Sequence, residues 1–211
     1  MSERKPAESR RREIADAALK VIAEQGLARF TSLAIAREVG VSDAALFRHF
    51  ASKDDIVLAV IDRVEEVLFS GFPPMSQDPI ERLGQFFRHR IEIIHTNPGI
   101  ARLVSSDQLS QAAPPEGVAR VAEFRRRSQS FVHDSLLQAY REGLMAEGVR
   151  PEEAAVLVLG SLMALAHAPN SMRPSAAVPE RVWAALERVL RRPRHRSAGV
   201  TLRARRPTTA S

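Results

Sequence analysis

The sequence contains no cysteine, one tryptophan and one tyrosine, and aromatic residues make up only 5% of its 211 residues. The absence of cysteine excludes disulfide scaffolds, cysteine-ligated metal sites and thiol nucleophiles. The sequence also lacks the long apolar run of a membrane span and the strict apolar–polar alternation of a half-buried strand. Hydrophobic residues at 45% and charged residues at 27% are typical of a globular protein that folds in water.

Positive charge is concentrated at the two ends of the chain, although the net charge is only +6. The first twelve residues carry five basic side chains, and residues 193–211 carry five arginines and no acidic residue. Such ends suit contact with a polyanion, and the apolar periodicity of a helix is missing from 193–211, which predicts a basic disordered tail there. No apolar segment of a secretory signal follows the basic N-terminus, so we expect a cytoplasmic protein that does not engage a membrane.

Apolar residues recur at helical spacing along most of the chain, which predicts an all-α fold. Glycine, proline and hydroxyl side chains mark the ends of the helices. The predicted helices span residues 9–25, 31–39, 43–50, 53–69, 79–96, 100–108, 116–145, 151–167 and 180–192.

The segment 31–56 has the pattern of a helix-turn-helix. Such a unit needs a small residue where the helices crowd, a glycine in the turn and apolar residues that lock the pair. Ala36, Gly40 and the apolar set Ile35, Val39, Val41 and Leu46 meet these needs at the required spacing. The pattern places the second helix in a DNA major groove, although a helical hairpin without such a function satisfies it too.

The segment 40–54 resembles the signature of TetR-family transcriptional regulators, with its aromatic-x-His-Phe block at 47–50 and Lys53. The resemblance extends over about residues 9–70. It implies a homodimeric DNA-binding protein, usually a repressor, with a three-helix N-terminal domain and a larger helical domain for dimerisation and a small-molecule ligand. On that basis we predict a DNA-binding domain at 1–52 and a ligand-binding and dimerisation domain at 53–192, with a linking helix at 53–70.

The resemblance also implies which side chains meet DNA. Those assigned to base edges are Asp43, Ala44, Ala45 and Arg48, and those assigned to phosphates are Thr31 or Ser32, Phe47, His49 and Lys53. Phe47 departs from the family pattern, which has tyrosine here, so one phosphate hydrogen bond is lost. Arg48 is the strongest candidate for base reading because its planar fork can meet guanine O6 and N7 together. Asp43 can accept from cytosine N4 or simply complement the helix dipole.

Two predicted helices of the C-terminal half have broad apolar faces with polar interruptions. Such faces can line a ligand cavity, but they can equally form plain core. The candidate pocket residues are Phe86, Phe87, Ile91, Ile94, Phe124, Ser128, Phe131 and Ser135.

The last two predicted helices carry the candidate dimer interface. The helix at 151–167 is apolar almost all round, and a helix of that kind cannot face water. The interface candidates are Leu162, Leu165, Val182, Trp183, Leu186 and Val189, with burial inside one subunit as the alternative.

The sequence therefore predicts a homodimeric, sequence-specific regulator of transcription, released from a palindromic operator by a small apolar or amphipathic ligand. The alternative is a DNA-binding interaction protein of nucleoid-occlusion type, controlled by a protein partner. No spacing indicates a metal site, a cofactor or a catalytic constellation, so an enzyme is not expected.

Overall fold

The computed structural model describes residues 7–106, 108–166 and 177–193, and every regular element within these ranges is helical. The helices are α1 (Ala7–Gln25), α2 (Ser32–Val39), α3 (Asp43–Leu46), α4 (Lys53–Leu68), α5 (Pro79–Thr96), α6 (Pro98–Ser105), α7 (Leu109–Ala112), α8 (Pro115–Arg141), α9 (Pro151–Ala166) and α10 (Ala177–Leu190). The predicted all-α fold, with an N-terminal helix-turn-helix and a larger helical C-terminal part, is confirmed. The predicted tail lies outside the described residues apart from Pro193.

Three predicted helices differ from the structure by four residues or more, or in number, whereas the other boundaries agree to within three residues. The helix predicted at 43–50 ends at Leu46, because the chain tightens so that the His49 amide donates to the Leu46 carbonyl at 3.0 Å and Phe50 enters the core. The helix predicted at 100–108 is two short helices, α6 and α7. The helix predicted at 116–145 ends at Arg141, where the following amides turn back onto its last carbonyls.

The first hydrophobic core joins the N-terminal helices to the rest of the chain. It contains buried residues of α1 to α4 together with residues of α6, α7 and the first half of α8. Helix α6 approaches α1 closely at Gly99, where an added Cβ would lie 2.1 Å from the Leu19 carbonyl oxygen of α1. Because α6 needs glycine at that point, the backbones of the two helices pack directly against each other.

The second hydrophobic core lies between α5, the second half of α8, α9 and α10. At its centre, the ring centroids of Phe87 and Trp183 are 5.5 Å apart, and the Trp183 indole covers Gly84. Trp183 is 3% exposed. The indole therefore stabilises the subunit itself by attaching α10 to α5.

Asp78 connects the start of α5 to the end of α10. Its Oδ1 accepts hydrogen bonds from the amides of Ile80 and Glu81, and its carboxylate pairs with Arg191 at 2.7 Å. Partial burial raises the pKa of Asp78, but the hydrogen bonds from Arg191, Glu81 and Ile80 and the charge of Arg191 outweigh burial and lower it. The ionised form is thus favoured in the folded protein.

Replacing Asp78 with alanine is expected to reduce the free energy of unfolding by about 1–2 kcal/mol at pH 7, because α5 loses its cap and Arg191 loses one of its two acidic partners. Since the folded-state pKa is lowered, this contribution is present above the unfolded pKa of about 3.8 and disappears as the pH falls through the folded-state pKa. Urea unfolding of wild type, Asp78→Ala and Asp78→Asn between pH 3 and 7 measures it. Asp78→Asn keeps the cap but should lose the pH dependence, and a wild-type advantage that stays constant with pH would contradict the assignment.

Candidate DNA-binding surface and internal cavity

Local hydrogen bonds build the helix-turn-helix of α2 and α3. The Thr31 hydroxyl accepts from the Ala34 amide, and the Ser42 hydroxyl accepts from the Ala45 amide, each at 3.2 Å. Between the two helices, Gly40 has a φ of 75°, a left-handed conformation that glycine adopts without strain. The turn therefore sets α3 against the buried residues of α2 and leaves the opposite face of α3 in solvent.

The four residues assigned to base edges lie close together on and just after α3. Asp43, Ala44 and Ala45 form its first turn, and Ala44 is exposed. Arg48 is exposed in the turn that follows α3, because the helix ends about one turn earlier than the sequence predicts. The Oδ1 atom of Asp43 is buried without a hydrogen-bond partner in the described part of the chain.

The residues assigned to phosphates lie at the ends of α2 and α4 and beside α3. Thr31 and Ser32 begin α2, and Lys53 is the first residue of α4. A reciprocal Ser52–Asp55 capping box fixes the start of α4 behind the exposed Lys53. Phe47 is 38% exposed, and His49 is half-buried.

Arg11 adds a cation that sequence reasoning placed only in a general basic arm. Its guanidinium carbon lies 4.6 Å from the centroid of the Phe50 ring, which is itself buried. This stacking holds a basic side chain of α1 beside the turn after α3. Arg4 and Lys5 lie outside the described residues.

An internal cavity of about 390 Å³ lies between the end of α4 and helices α5, α6, α8 and α9. Its lining side chains are Leu68, Phe86, Arg90, Ile94, Ile100, Ala101, Val104, Ser105, Phe124, Arg125, Ser128, Gln129, Leu159, Leu162, Met163 and Ala166. The volume is within the range of small-molecule sites.

The cavity contains half of the predicted pocket residues. Phe86, Ile94, Phe124 and Ser128 line it, as does Leu162, which was assigned to the dimer interface. The remaining four lie elsewhere: Phe87 and Ile91 are buried in the second core, Ser135 is buried at 3% exposure, and Phe131 packs on Phe72 and Phe86. Helical periodicity identified the apolar stripe but not which part of it faces the cavity.

Arg90 is a cavity residue that sequence reasoning missed. It is only 4% exposed, and its Nη2 donates to Ser128 Oγ at 3.2 Å. Burial, with a smaller effect of the neighbouring cation Arg127, lowers the pKa of Arg90 to about 10. The available signal was its spacing, because Arg90 lies four residues after Phe86 and four before Ile94 on one helix face.

The predicted interface residues divide into three groups. Trp183 and Leu186 are buried inside the subunit, Leu162, Leu165 and Val182 are half-buried, and Val189 is 52% exposed. The exposed apolar face of α9 consists of other residues, namely Val156, Leu157, Gly160, Met163 and Ala164. Because α9 is apolar almost all round, the sequence could not indicate which face remains uncovered.

The described ranges contain neither a metal-ligand cluster nor a membrane-spanning helix. No cluster of three or more metal-ligating side chains occurs there. None of the helices described is long and apolar enough to cross a membrane.

Comparison with known proteins identifies relatives by sequence. The profile of the family described as bacterial regulatory proteins, tetR family, matches residues 14–60. The nucleoid occlusion factor SlmA of Marinobacter nauticus is 30% identical over 161 residues, which cover 74% of this chain and 77% of that protein.

Solved structures of transcriptional regulators have the same fold. The ketosteroid transcriptional regulator KstR2 of Mycobacterium tuberculosis matches with a TM-score of 0.75 and 20% identity, over 90% of this chain and 98% of that one. AibR, in a complex with isovaleryl coenzyme A and operator DNA, matches with a TM-score of 0.68 and 19% identity, over 85% and 97%.

Proposed function

The chain belongs to the TetR family of bacterial regulatory proteins, non-enzymatic regulators that bind DNA, and we propose that it is a homodimeric repressor released from a palindromic operator by a small apolar or amphipathic ligand. One observation carries the proposal: a helix-turn-helix and a cavity lined mostly by apolar side chains occur in one chain and are joined by α4. Residues 1–52 would bind DNA and residues 53–192 would bind the ligand and the second subunit.

In this proposal, α3 enters the major groove, with Ala44, Ala45 and Arg48 at base edges. Asp43, the first residue of α3, joins them, because a carboxylate can accept from cytosine N4. Thr31, Ser32, Phe47, His49 and Lys53 contact the phosphates on either side, as the family pattern implies. The stacked Arg11 adds to the positive charge at this surface.

Helix α4 supports a direct link between ligand and DNA. Leu68 at its end lines the cavity, and Lys53 at its start is in the DNA-binding surface. A helix of 16 residues is about 24 Å long, so a small rotation at Leu68 displaces Lys53 and the helices packed on α4. A ligand that fits the cavity only after such a rotation would favour the DNA-free state.

The exposed apolar face of α9 supports dimerisation. Val156 is 71% exposed and Met163 52% exposed, and both lie on the same side of the helix as Gly160. An apolar patch of this kind on a water-soluble fold marks a contact surface, and family membership favours a second copy of the chain as the partner. Val189 of α10 would lie at its edge.

Arg48→Ala and Lys53→Ala separate base reading from phosphate binding. Arg48→Ala should cost about 1–3 kcal/mol on an operator selected from random DNA and relax the preference at one base pair in each half-site. Lys53→Ala should weaken binding about equally on operator and scrambled DNA. It should also lower the slope of log binding constant against log salt concentration by about one. Titrations on both duplexes at several salt concentrations measure both effects. Equal losses for Arg48→Ala on the two duplexes would make Arg48 a backbone contact.

A second candidate function follows from the name of the Marinobacter relative, nucleoid occlusion factor. In that case the chain would bind DNA at many sites and respond to a protein partner rather than to a ligand. Chromatin immunoprecipitation distinguishes the two: a repressor occupies one or a few operators near its target genes, whereas an occlusion factor occupies many sites around the chromosome.

A further inference from the structure

The wall of the cavity contains a buried cation with an unused hydrogen-bonding group. Arg90 and Ser128 both line the cavity, and Arg90 Nη2 donates to Ser128 Oγ at 3.2 Å. Arg90 Nη1 is buried and has no hydrogen-bond partner in the described part of the chain. A buried guanidinium nitrogen without an acceptor costs free energy that a native structure normally avoids.

None of the ion pairs formed by the described residues includes Arg90. Its guanidinium carbon lies 4.7 Å from the Phe69 ring centroid and 5.1 Å from that of Phe86, and Arg127 stacks on Phe69 at 4.0 Å. These rings offset part of the lost hydration, but they offer no acceptor to Nη1. Burial, and to a smaller extent the like charge of the nearby Arg127, lowers the pKa of Arg90 and disfavours its cation. The described residues around Arg90 therefore provide no anionic partner for its guanidinium.

The rest of the wall restricts what can supply that charge. Most of the lining side chains are apolar, and no acidic residue is among those described on the wall. The other cavity arginine, Arg125, is exposed, and its Nε donates to the Val104 carbonyl at 3.0 Å. Arg90 is therefore the one buried cation on the described wall.

We propose that the cavity takes a ligand with a single carboxylate-type head group on an apolar body, and that Arg90 holds the head group. This rests on the proposed function, because it specifies the chemistry of the ligand that would release the DNA. The carboxylate accepts from the Arg90 guanidinium, and the apolar body fills the space between Phe86, Phe124 and Leu159. A cationic ligand of the same size finds no acidic side chain on the described wall.

The test uses pairs of probes that differ only in charge: octanoate, 4-phenylbutanoate and 2-naphthylacetate, each with its primary amide. Isothermal titration calorimetry without DNA measures their binding to wild type, Arg90→Met and Arg125→Met. Methionine keeps an unbranched side chain in the wall but removes the charge. Arg125→Met is the matched control, because it removes an arginine from the same cavity that already has a backbone acceptor.

Wild type and Arg125→Met should bind at least one carboxylate about tenfold or more tightly than its amide, and Arg90→Met should remove that preference and leave amide binding unchanged. Urea unfolding should find Arg90→Met at least as stable as wild type, because an unpaired buried charge is gone.

Two results would overturn the proposal: wild type that prefers none of the anions over the amides, or Arg90→Met that keeps the preference. Because the calorimetry samples contain no DNA, the measured ligand binding is independent of operator binding. A carboxylate that binds through Arg90 but does not release DNA would refute the repressor mechanism and leave the ligand assignment intact.

Discussion

Gly99→Ala is expected to lower the free energy of unfolding by about 3 kcal/mol, although it adds one methyl group. The new Cβ would lie 2.1 Å from the Leu19 carbonyl oxygen and 2.9 Å from its carbon, so the backbones of α6 and α1 must separate. At about 2–4 °C per kcal/mol for a chain of this size, the midpoint of thermal unfolding should fall by about 6–12 °C. Urea and thermal unfolding, each followed by circular dichroism, measure the loss.

Gly117→Ala is the matched control for this prediction. Gly117 is also a buried helical glycine, but its added Cβ would meet the Cδ1 atom of Ile61, the mobile end of a side chain, at 2.7 Å. Ile61 can change rotamer, so the cost should be clearly smaller. Equal losses in both variants would mean that the contact between α6 and α1 is not unusually tight.

Val156→Arg is expected to dissociate the proposed dimer. In the isolated subunit Val156 is 71% exposed, so arginine there costs the fold almost nothing. In a dimer formed through α9 it would bury an unpaired charge in each subunit, at a cost of about 3 kcal/mol or more, which weakens association at least about a hundredfold. Operator binding should fall with it, because each subunit reads one half-site. Analytical ultracentrifugation at micromolar concentration and an operator titration measure both effects.

Met75→Arg provides the control, since Met75 is 91% exposed in the loop before α5 and lies far along the chain from α9. Met75→Arg also replaces an exposed apolar side chain with arginine, and it should leave the dimer intact. The interface would be misplaced if Val156→Arg stayed dimeric. Trp183→Glu is a poor test of the interface, because Trp183 is buried on Phe87 and its replacement would destabilise the subunit directly.

Where short-range chemistry determines the structure, the sequence was sufficient. The hydroxyls of Thr31, Ser42 and Ser52 each accept from an amide three residues ahead, and each residue lies at or next to the start of a predicted helix. Helix α5 spans Pro79–Thr96 as predicted, because Asp78 caps it and Asn97 and Pro98 follow it. The signature at 40–54 also identified the family.

Contacts between residues distant in the chain could not be predicted from local sequence patterns. Helical periodicity indicates that Phe86, Phe87, Ile91 and Ile94 are buried, but only the packing of α5 against α6, α8 and α9 separates those that line the cavity from those in solid core. Arg90 looked like an ordinary cation in the sequence and became a candidate ligand contact once its burial was known.

The boundary between the N-terminal and C-terminal halves of the chain also depends on contacts between residues distant in sequence. A linear sequence suggests an N-terminal unit that ends near residue 52, yet the first core continues into α6, α7 and α8, because α6 folds back onto α1 at Gly99. Helix α9 is apolar almost all round beyond its first turn, so its sequence carries little information about orientation. Burial of one side against α5, α8 and α10 leaves Val156, Leu157 and Met163 in solvent, since a helix can turn only one part of its surface toward its own core.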